Sequence, residues 1–210
     1  SLPFAKWTCY DAGVHSACIV RWPGVIKPAS VSDALVEYVD IVPTFVDIAG
    51  GKPQAKMDGE SFKPVLTGKK KEHKKYSFSL QTTRGINAGS PYYGIRSVYD
   101  GRYRYIVNLT PEATFQNVMT SSPLFKEWKS LAETDSHAKA MTTRYQHRPA
   151  IELYDVKNDP YCMKNLAEDA GQASTISRLD KELKRWMKDC GDEGQATEMR
   201  AFEHMPGKKK

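Results

Sequence analysis

Ala5-Lys6-Trp7-Thr8-Cys9-Tyr10-Asp11-Ala12-Gly13-Val14-His15, running on to Ile19-Val20-Arg21-Trp22-Pro23-Gly24, is the stretch on which the reading of this 210-residue chain turns. The run from Gly13 to Trp22 ends in apolar residues bounded by Pro23-Gly24, a pattern that predicts a buried strand inside a sheet. Lys6 lies between the apolar Phe4 and Trp7, ahead of Thr8, Tyr10 and Asp11, in a loop leading into that strand. Loops at strand ends are where α/β sheets place binding groups. A lysine there offers a compact positive charge with three donors, suited to a phosphate or sulfate oxygen.

Downstream, Asp40 can cap a helix with Pro43 in its first turn, where a missing N–H costs nothing, and Val42, Phe45, Val46 and Ala49 make one apolar face before Gly50-Gly51 stops it. A helical turn is predicted near Ser61 to Leu66, ahead of the lysine-rich linker after Gly68. Beyond it the style changes. Tyr76-Ser77-Phe78-Ser79-Leu80 alternates apolar and polar side chains, the period of a strand with one wet face. Ile95 to Tyr99, then Asp100-Gly101, then Arg102 to Val107 predict a hairpin, because Asp-Gly supplies the positive φ angles of a tight primed turn. Helices are predicted from Ser122 to about Ala132 and from Ser136 to Tyr145, and a short strand over Ile151 to Val156. A last helix, capped by Ser174, places Ile176, Leu179, Leu183, Trp186 and Met187 on one face that should pack on a sheet. After Gly191 the chain is polar and is expected to be irregular.

The fold class expected is therefore α/β: a remnant βα segment followed by an antiparallel sheet packed with helices. The domain expectation is 1–74 for the α/β segment, 75–190 for the antiparallel-sheet subdomain with its terminal helix, and 191–210 for a polar tail. A single βα unit does not cover both faces of a parallel sheet, so the first segment needs further strands or a substitute partner.

Composition excludes several classes. Charged residues at 27% and apolar residues at 40% are the usage of a globular domain. The apolar segments are interrupted at Arg21, Asp40 and Pro43, so none reaches the roughly 20 residues of a membrane-spanning helix. The net charge of +6 owes much to Lys69-Lys70-Lys71, Lys74-Lys75 and Lys208-Lys209-Lys210, runs that suit solvated loops and tails. Nucleic-acid binding is not expected, since the aromatics fall in strand-like patterns rather than between basic residues. Cys9, Cys18, Cys162 and Cys190 form no C-x-x-C pair; they are read as mostly buried thiols, with one disulfide left open. The start at Ser1-Leu2-Pro3-Phe4 shows neither Met nor a signal-peptide pattern, and a preceding portion is expected.

The opening stretch resembles the sulfatase pattern G-K-x-T-x-Y-E-x-G-x-R followed by an apolar strand and W-P-G. Val39-Asp40-Ile41-Val42-Pro43-Thr44 is similar to that family's V-D-L-x-P-T, and Asp58-Gly59-Glu60-Ser61-Phe62 to its D-G-x-S-F, in the same order. Arg96-Ser97-Val98, Asp100-Gly101-Arg102-Tyr103, Glu152-Leu153-Tyr154-Asp155, Asn158-Asp159-Pro160 and Asn165-Leu166 resemble the family's C-terminal subdomain. The nearest branch by resemblance is that of the heparan N-sulfatases and bacterial polysaccharide sulfatases.

This resemblance implies an alkaline-phosphatase-like sulfatase fold, C-terminal portion, and hydrolysis of a sulfate ester or sulfamate of a sulfated saccharide. It implies formylglycine and calcium as cofactors of the intact enzyme, both held upstream. The formylglycine motif C/S-x-P-x-R is absent at all four cysteines, and the paired-Asp calcium motif is absent too, so no metal ligand is assigned here and the chain by itself is expected to be inactive. Lys6 aligns with a family lysine that contacts the sulfate, and is the catalytic residue the resemblance implies. His15 stands where the family has Arg, which implies either anion binding and loop orientation or a buried structural role. Arg84 lies where related enzymes carry a loop near the substrate, as a substrate-binding residue or a surface arginine. The expected partners are the sulfated saccharide and the missing N-terminal sulfatase portion; the expected location is periplasmic or exported. The competing reading is a non-catalytic module that binds polyanions through its lysines and arginines, or that is purely structural.

Overall fold

The computed structural model describes residues 3–52, 54–82 and 92–204. The chain divides into two compact units: Ser1–His15 together with Phe78–Lys210, and Ser16–Ser77.

The first unit is built on a four-stranded sheet of β1 (Ser77–Gln81), β2 (Ile95–Tyr99), β3 (Tyr103–Asn108) and β4 (Ile151–Asp155), in that order. Strands β2 and β3 pair antiparallel with Ser97 opposite Ile106, and β3 and β4 antiparallel with Ile106 opposite Glu152. The predicted hairpin forms, with one change in its turn. Gly101 alone takes positive φ, at 93°, while the Asp100 carboxylate accepts from the backbone N–H of Arg102 and of Tyr103 and holds the turn from the side.

Because side chains alternate across a sheet, the register fixes what each face carries. On one face lie Val98, Tyr105 and Leu153, covered by α6 (Ala173–Asp189) through the buried Leu179 and Leu183; Phe78 stacks on Trp186 at 5.0 Å, and the Tyr105 hydroxyl meets Asp180 at 3.1 Å. The last helix thus packs on the sheet as its periodicity implies, but it starts before Ser174, with Gln172 at its N-cap position. On the other face lie Ile95, Ser97, Arg104, Ile106, Asn108, Glu152 and Tyr154, covered by the opening loop and its short helix α1 (Asp11–Val14) and by the aromatic cluster to which α4 (Pro123–Leu131) and α5 (Ser136–Gln146) contribute Phe125 and Tyr145. Ser122 caps α4 and Asp135 caps α5, each accepting a backbone N–H of the first turn.

The tail after Gly191 is a correction to the sequence reading. It forms α7 (Gln195–Met199), whose Glu198 is buried and pairs with Arg96 at 2.9 Å, while Asp192 takes the same guanidinium at 2.5 Å. Its polarity reflects a buried ion cluster, which no periodicity reports.

The second unit carries α2 (Ile41–Ile48) and α3 (Lys63–Leu66), preceded by a 3-10 turn over Tyr38–Asp40. Two family motifs have visible causes here. In the D-G-x-S-F segment a Cβ on Gly59 would lie 2.0 Å from the Val39 carbonyl oxygen, Ser61 donates to Asp47 at 2.6 Å, and Phe62 is buried. Asp40 stands at the N-cap position of α2 but its side chain does not cap that helix: the buried carboxylate instead accepts from the backbone N–H of Glu37 and of Glu60, pairs with Lys74 at 2.8 Å and lies 3.3 Å from His73 Nε2. Burial alone would raise Asp40, but the hydrogen bond from Lys74 and those two N–H groups hold it below the usual carboxylate range.

The predicted buried strand over Gly13 to Trp22 does not form. After α1 the chain runs through residues 15–22 without a ladder partner, and Ile19 is 93% exposed. A strand needs neighbours to take its N–H and C=O groups, and none of the sheet strands pairs with this segment. The apolar face of α2 is open as well, with Phe45 66% exposed.

Candidate functional site

Lys6 is exposed at the apex of a tight loop whose neighbours on both sides are fixed. Phe4 and Trp7 hold left-handed backbone, with φ of 59° and 67°, which costs a bulky residue on the order of 1–2 kcal/mol and persists only where contacts over-determine it. Those contacts begin inside the loop. The buried Thr8 donates its hydroxyl to Ala5 O at 2.7 Å, its N–H reaches the same oxygen at 3.1 Å, and Gly13 N–H closes on Tyr10 O at 2.8 Å. A methyl group at Gly13 would sit 2.5 Å from Ala5 O, so the glycine of the motif is there for close approach. The Lys6 ammonium lies 4.6 Å from the Trp7 ring centroid, a cation–π contact on an exposed side chain.

The rest of the support comes from far along the chain. Tyr10 donates to Glu152 at 2.8 Å, and Asp11 pairs with the buried Arg104 at 2.8 Å. Phe4 packs on Tyr10 and Tyr145 with centroids 5.2 and 5.0 Å apart, and the Arg144 guanidinium caps Phe4 at 4.7 Å. The fully buried Arg148 lies 5.0 Å from the Tyr10 ring and donates its Nε–H to Tyr145 O. Burial raises the Tyr10 phenol far above its ordinary value, opposed by Arg148 and reinforced by Glu152, so it remains a protonated donor.

His15 ends the same segment. Its side chain is 75% exposed and its Nδ1 lies 3.1 Å from Asp11 Oδ2, so the buried structural alternative does not hold. Lys6 and His15 thus belong to one loop-and-helix segment of the first unit, both open to solvent. Arg84 lies outside the described residues. Among the described residues no group of three His, Cys, Asp or Glu side chains fits a metal ion. Cys9 and Cys162 are buried in the core, whereas Cys18 and Cys190 are exposed, so burial holds for two of the four. The supports of the loop (Glu152, Arg104, Arg144 and Arg148) were not singled out from sequence as belonging to it. Glu152 stood in a recognisable motif, yet 142 positions separate it from Tyr10 and no spacing rule connects them.

What this arrangement offers chemically is an exposed ammonium carried on a loop whose backbone is held by buried contacts. Comparison with known proteins gives that ammonium a context. Residues 3–117 match the family described as N-sulphoglucosamine sulphohydrolase, C-terminal. An ulvan-active sulfatase of Formosa agariphila is 37% identical over 89% of this chain, and an N-acetylglucosamine-6-sulfatase of Capra hircus is 45% identical over 32% of it. The fold matches that of a protein solved in complex with its substrate D-glucosamine-2-N,6-O-disulfate, with a TM-score of 0.59 and 21% identity over 84% of this chain and 29% of the other. The chain spans about a third of the ulvan-active sulfatase, 36% of its length, and 12% of the goat enzyme.

Proposed function

Since this chain belongs to the sulfatase family, in the C-terminal region of the N-sulphoglucosamine sulphohydrolases, we propose that it serves an enzyme that hydrolyses a sulfate ester or sulfamate of a sulfated saccharide, and that its own contribution is to present Lys6 to the sulfuryl group. The observation that carries this reading is the fixed loop: a lysine at its exposed apex, held by buried contacts to the sheet. As the bond to the leaving group breaks, charge grows on the sulfuryl oxygens, and a preorganised ammonium stabilises that charge more than it stabilises the ground state. The exposed His15, one turn beyond, is a second cation available to an anionic saccharide when protonated, and Arg84 is proposed as a third. The names of the relatives favour a sulfated polysaccharide or glycosaminoglycan unit as substrate.

Formylglycine and calcium are assigned to the preceding portion of the sulfatase. Among the described residues no group of His, Cys, Asp and Glu side chains fits a metal ion. That preceding portion is the partner that the open apolar surfaces favour: Ile19 and Phe45 in the second unit, and in the first a groove of about 610 Å³ lined by Pro3, Phe4, Leu124, Trp128 and Leu131. No described helix is long and apolar enough to cross a membrane. Export to the periplasm or beyond is proposed from the polysaccharide substrate, which is met outside the cytoplasm.

The test is hydrolysis of an aryl sulfate with calcium present, comparing this chain alone with the product of its gene that includes the preceding portion. Activity only in the longer protein supports the proposal. Activity in the 210-residue chain alone contradicts the claim that its nucleophile lies elsewhere. Activity in neither, with salt-sensitive binding to heparin, favours the polyanion-binding module.

A further inference from the structure

A sequence motif that the proposed chemistry leaves without a task meets the lysine-bearing stretch at one buried carboxylate. Glu152, on β4, opens the Glu152-Leu153-Tyr154-Asp155 motif and is 1% exposed. Its Oε2 accepts from Tyr10 at 2.8 Å and from Tyr154 at 2.5 Å, and its Oε1 accepts from the Asn108 amide at 2.8 Å. Asn108 also donates to Pro149 O at 2.7 Å, which ties the end of β3 to the start of β4. Tyr10 is the one donor of the three that comes from the lysine loop; the other two come from the sheet beneath it.

A carboxylate taken out of water is costly unless hydrogen-bonded, and an Ala-scale packing contact would serve stability at lower cost. What the carboxylate adds is direction. Two hydroxyls converging on one oxygen fix the Tyr10 ring in a single orientation, and the Tyr10 ring carries Phe4 on one side while Arg148 lies against it. Phe4, packed on the Tyr10 ring, and Trp7 bracket Lys6 in left-handed backbone, so the Tyr10 ring is in contact with a residue that sets the backbone beside the lysine. A displacement of about 1 Å at a catalytic group is enough to cost on the order of 100-fold in rate.

We propose that Glu152 is a positioning residue for Lys6: the buried Glu152–Tyr10–Tyr154 cluster, anchored by Asn108, sets the place of the lysine loop over the sheet. This rests on the sulfate-contact reading of Lys6 for its catalytic meaning but not for its geometry.

The experiment has two readouts. In the 210-residue chain, amide hydrogen exchange is followed for peptides spanning residues 4–14 and, as reference, the β2–β3 hairpin, in Glu152→Ala, Glu152→Gln and Tyr10→Phe. In the sulfatase that includes the preceding portion, kcat and KM are measured for the same variants and for Lys6→Ala. Glu152→Ala is expected to speed exchange of residues 4–14 at least tenfold with the hairpin unchanged, and to lower kcat at least tenfold with KM moved less than threefold. Glu152→Gln, which keeps an oxygen for the tyrosine hydroxyls but turns its own amide donor toward that of Asn108, is expected to restore part of both. Tyr10→Phe removes one hydrogen bond while keeping the ring, and gives the same pattern at smaller size even if Glu152→Ala fails to fold. Unchanged exchange in residues 4–14, or loss of the loop and the hairpin together in all three variants, overturns the positioning role. A kcat untouched by Lys6→Ala, with the exchange pattern as expected, sinks the sulfate-contact reading and leaves the geometric one standing.

Discussion

At Gly13 a methyl group would meet Ala5 O at 2.5 Å and the Thr8 hydroxyl at 2.6 Å, both of them fixed by the loop's own hydrogen bonds. Gly13→Ala is therefore expected to destabilise the first unit by about 1–3 kcal/mol, read from urea denaturation. An effect below about 0.5 kcal/mol would mean the loop yields easily and does not hold Lys6. The buried thiols give a second residue-scale prediction. Burial pushes Cys9 and Cys162 each up to about 11, so at pH 8 both are protonated and shielded. A maleimide is expected to label Cys18 promptly and to reach Cys9 and Cys162 only on unfolding, which peptide mapping resolves. At this scale the sequence was informative about Lys6, because the motif surrounds it, and silent about Arg104, because a partner 93 positions away leaves no local trace.

Among the elements, α7 carries the clearest consequence. Arg96 binds Asp192 and Glu198 together, Arg96 and Glu198 buried and Asp192 half-buried, and replacing the cation strands the Glu198 carboxylate out of water and leaves Asp192 unpaired at its edge. Arg96→Met is expected to cost about 3–5 kcal/mol in urea denaturation, with part recovered in Arg96→Met/Glu198→Gln. Burial alone would raise Asp192, yet the Arg96 hydrogen bond and charge hold it below its ordinary value of 3.8. A depressed folded-state pKa gives stability that is complete above the unfolded value and is lost as pH falls through the folded one. Exchange protection of α7 is thus expected to fade below pH 3.8 in the native chain, and this acid dependence to disappear in Arg96→Met. The hairpin, α4, α5 and α6 were legible because each announces itself locally, by Asp-Gly, by Ser122, by apolar residues three and four apart. The tail was not, since its order comes from an ion cluster whose cation sits on β2.

For the whole molecule, the failed strand over residues 15–22 and the open face of α2 say the same thing: apolar residues patterned for burial lie uncovered in the second unit. The sequence pattern is that of a strand in a larger sheet, and among the described residues no strand pairs with it. Ile19→Ser and Phe45→Ser are each expected to change the stability of the 210-residue chain by less than about 0.5 kcal/mol, as exposed sites do, while lowering the stability of the longer sulfatase by more than about 1 kcal/mol. Equal effects in both would show that the preceding portion does not cover these residues.

The central claim is that this scaffold exists to present Lys6 to a sulfuryl group, and the measurement that tests it most directly is kcat/KM for aryl sulfate hydrolysis by the sulfatase that includes the preceding portion, with Lys6→Ala against the native enzyme. The account predicts a fall of about 100-fold to 1,000-fold, the size expected for removing one preorganised charge-stabilising group, with the unfolding transition unchanged because Lys6 is exposed. A kcat/KM within threefold of the native value would contradict it.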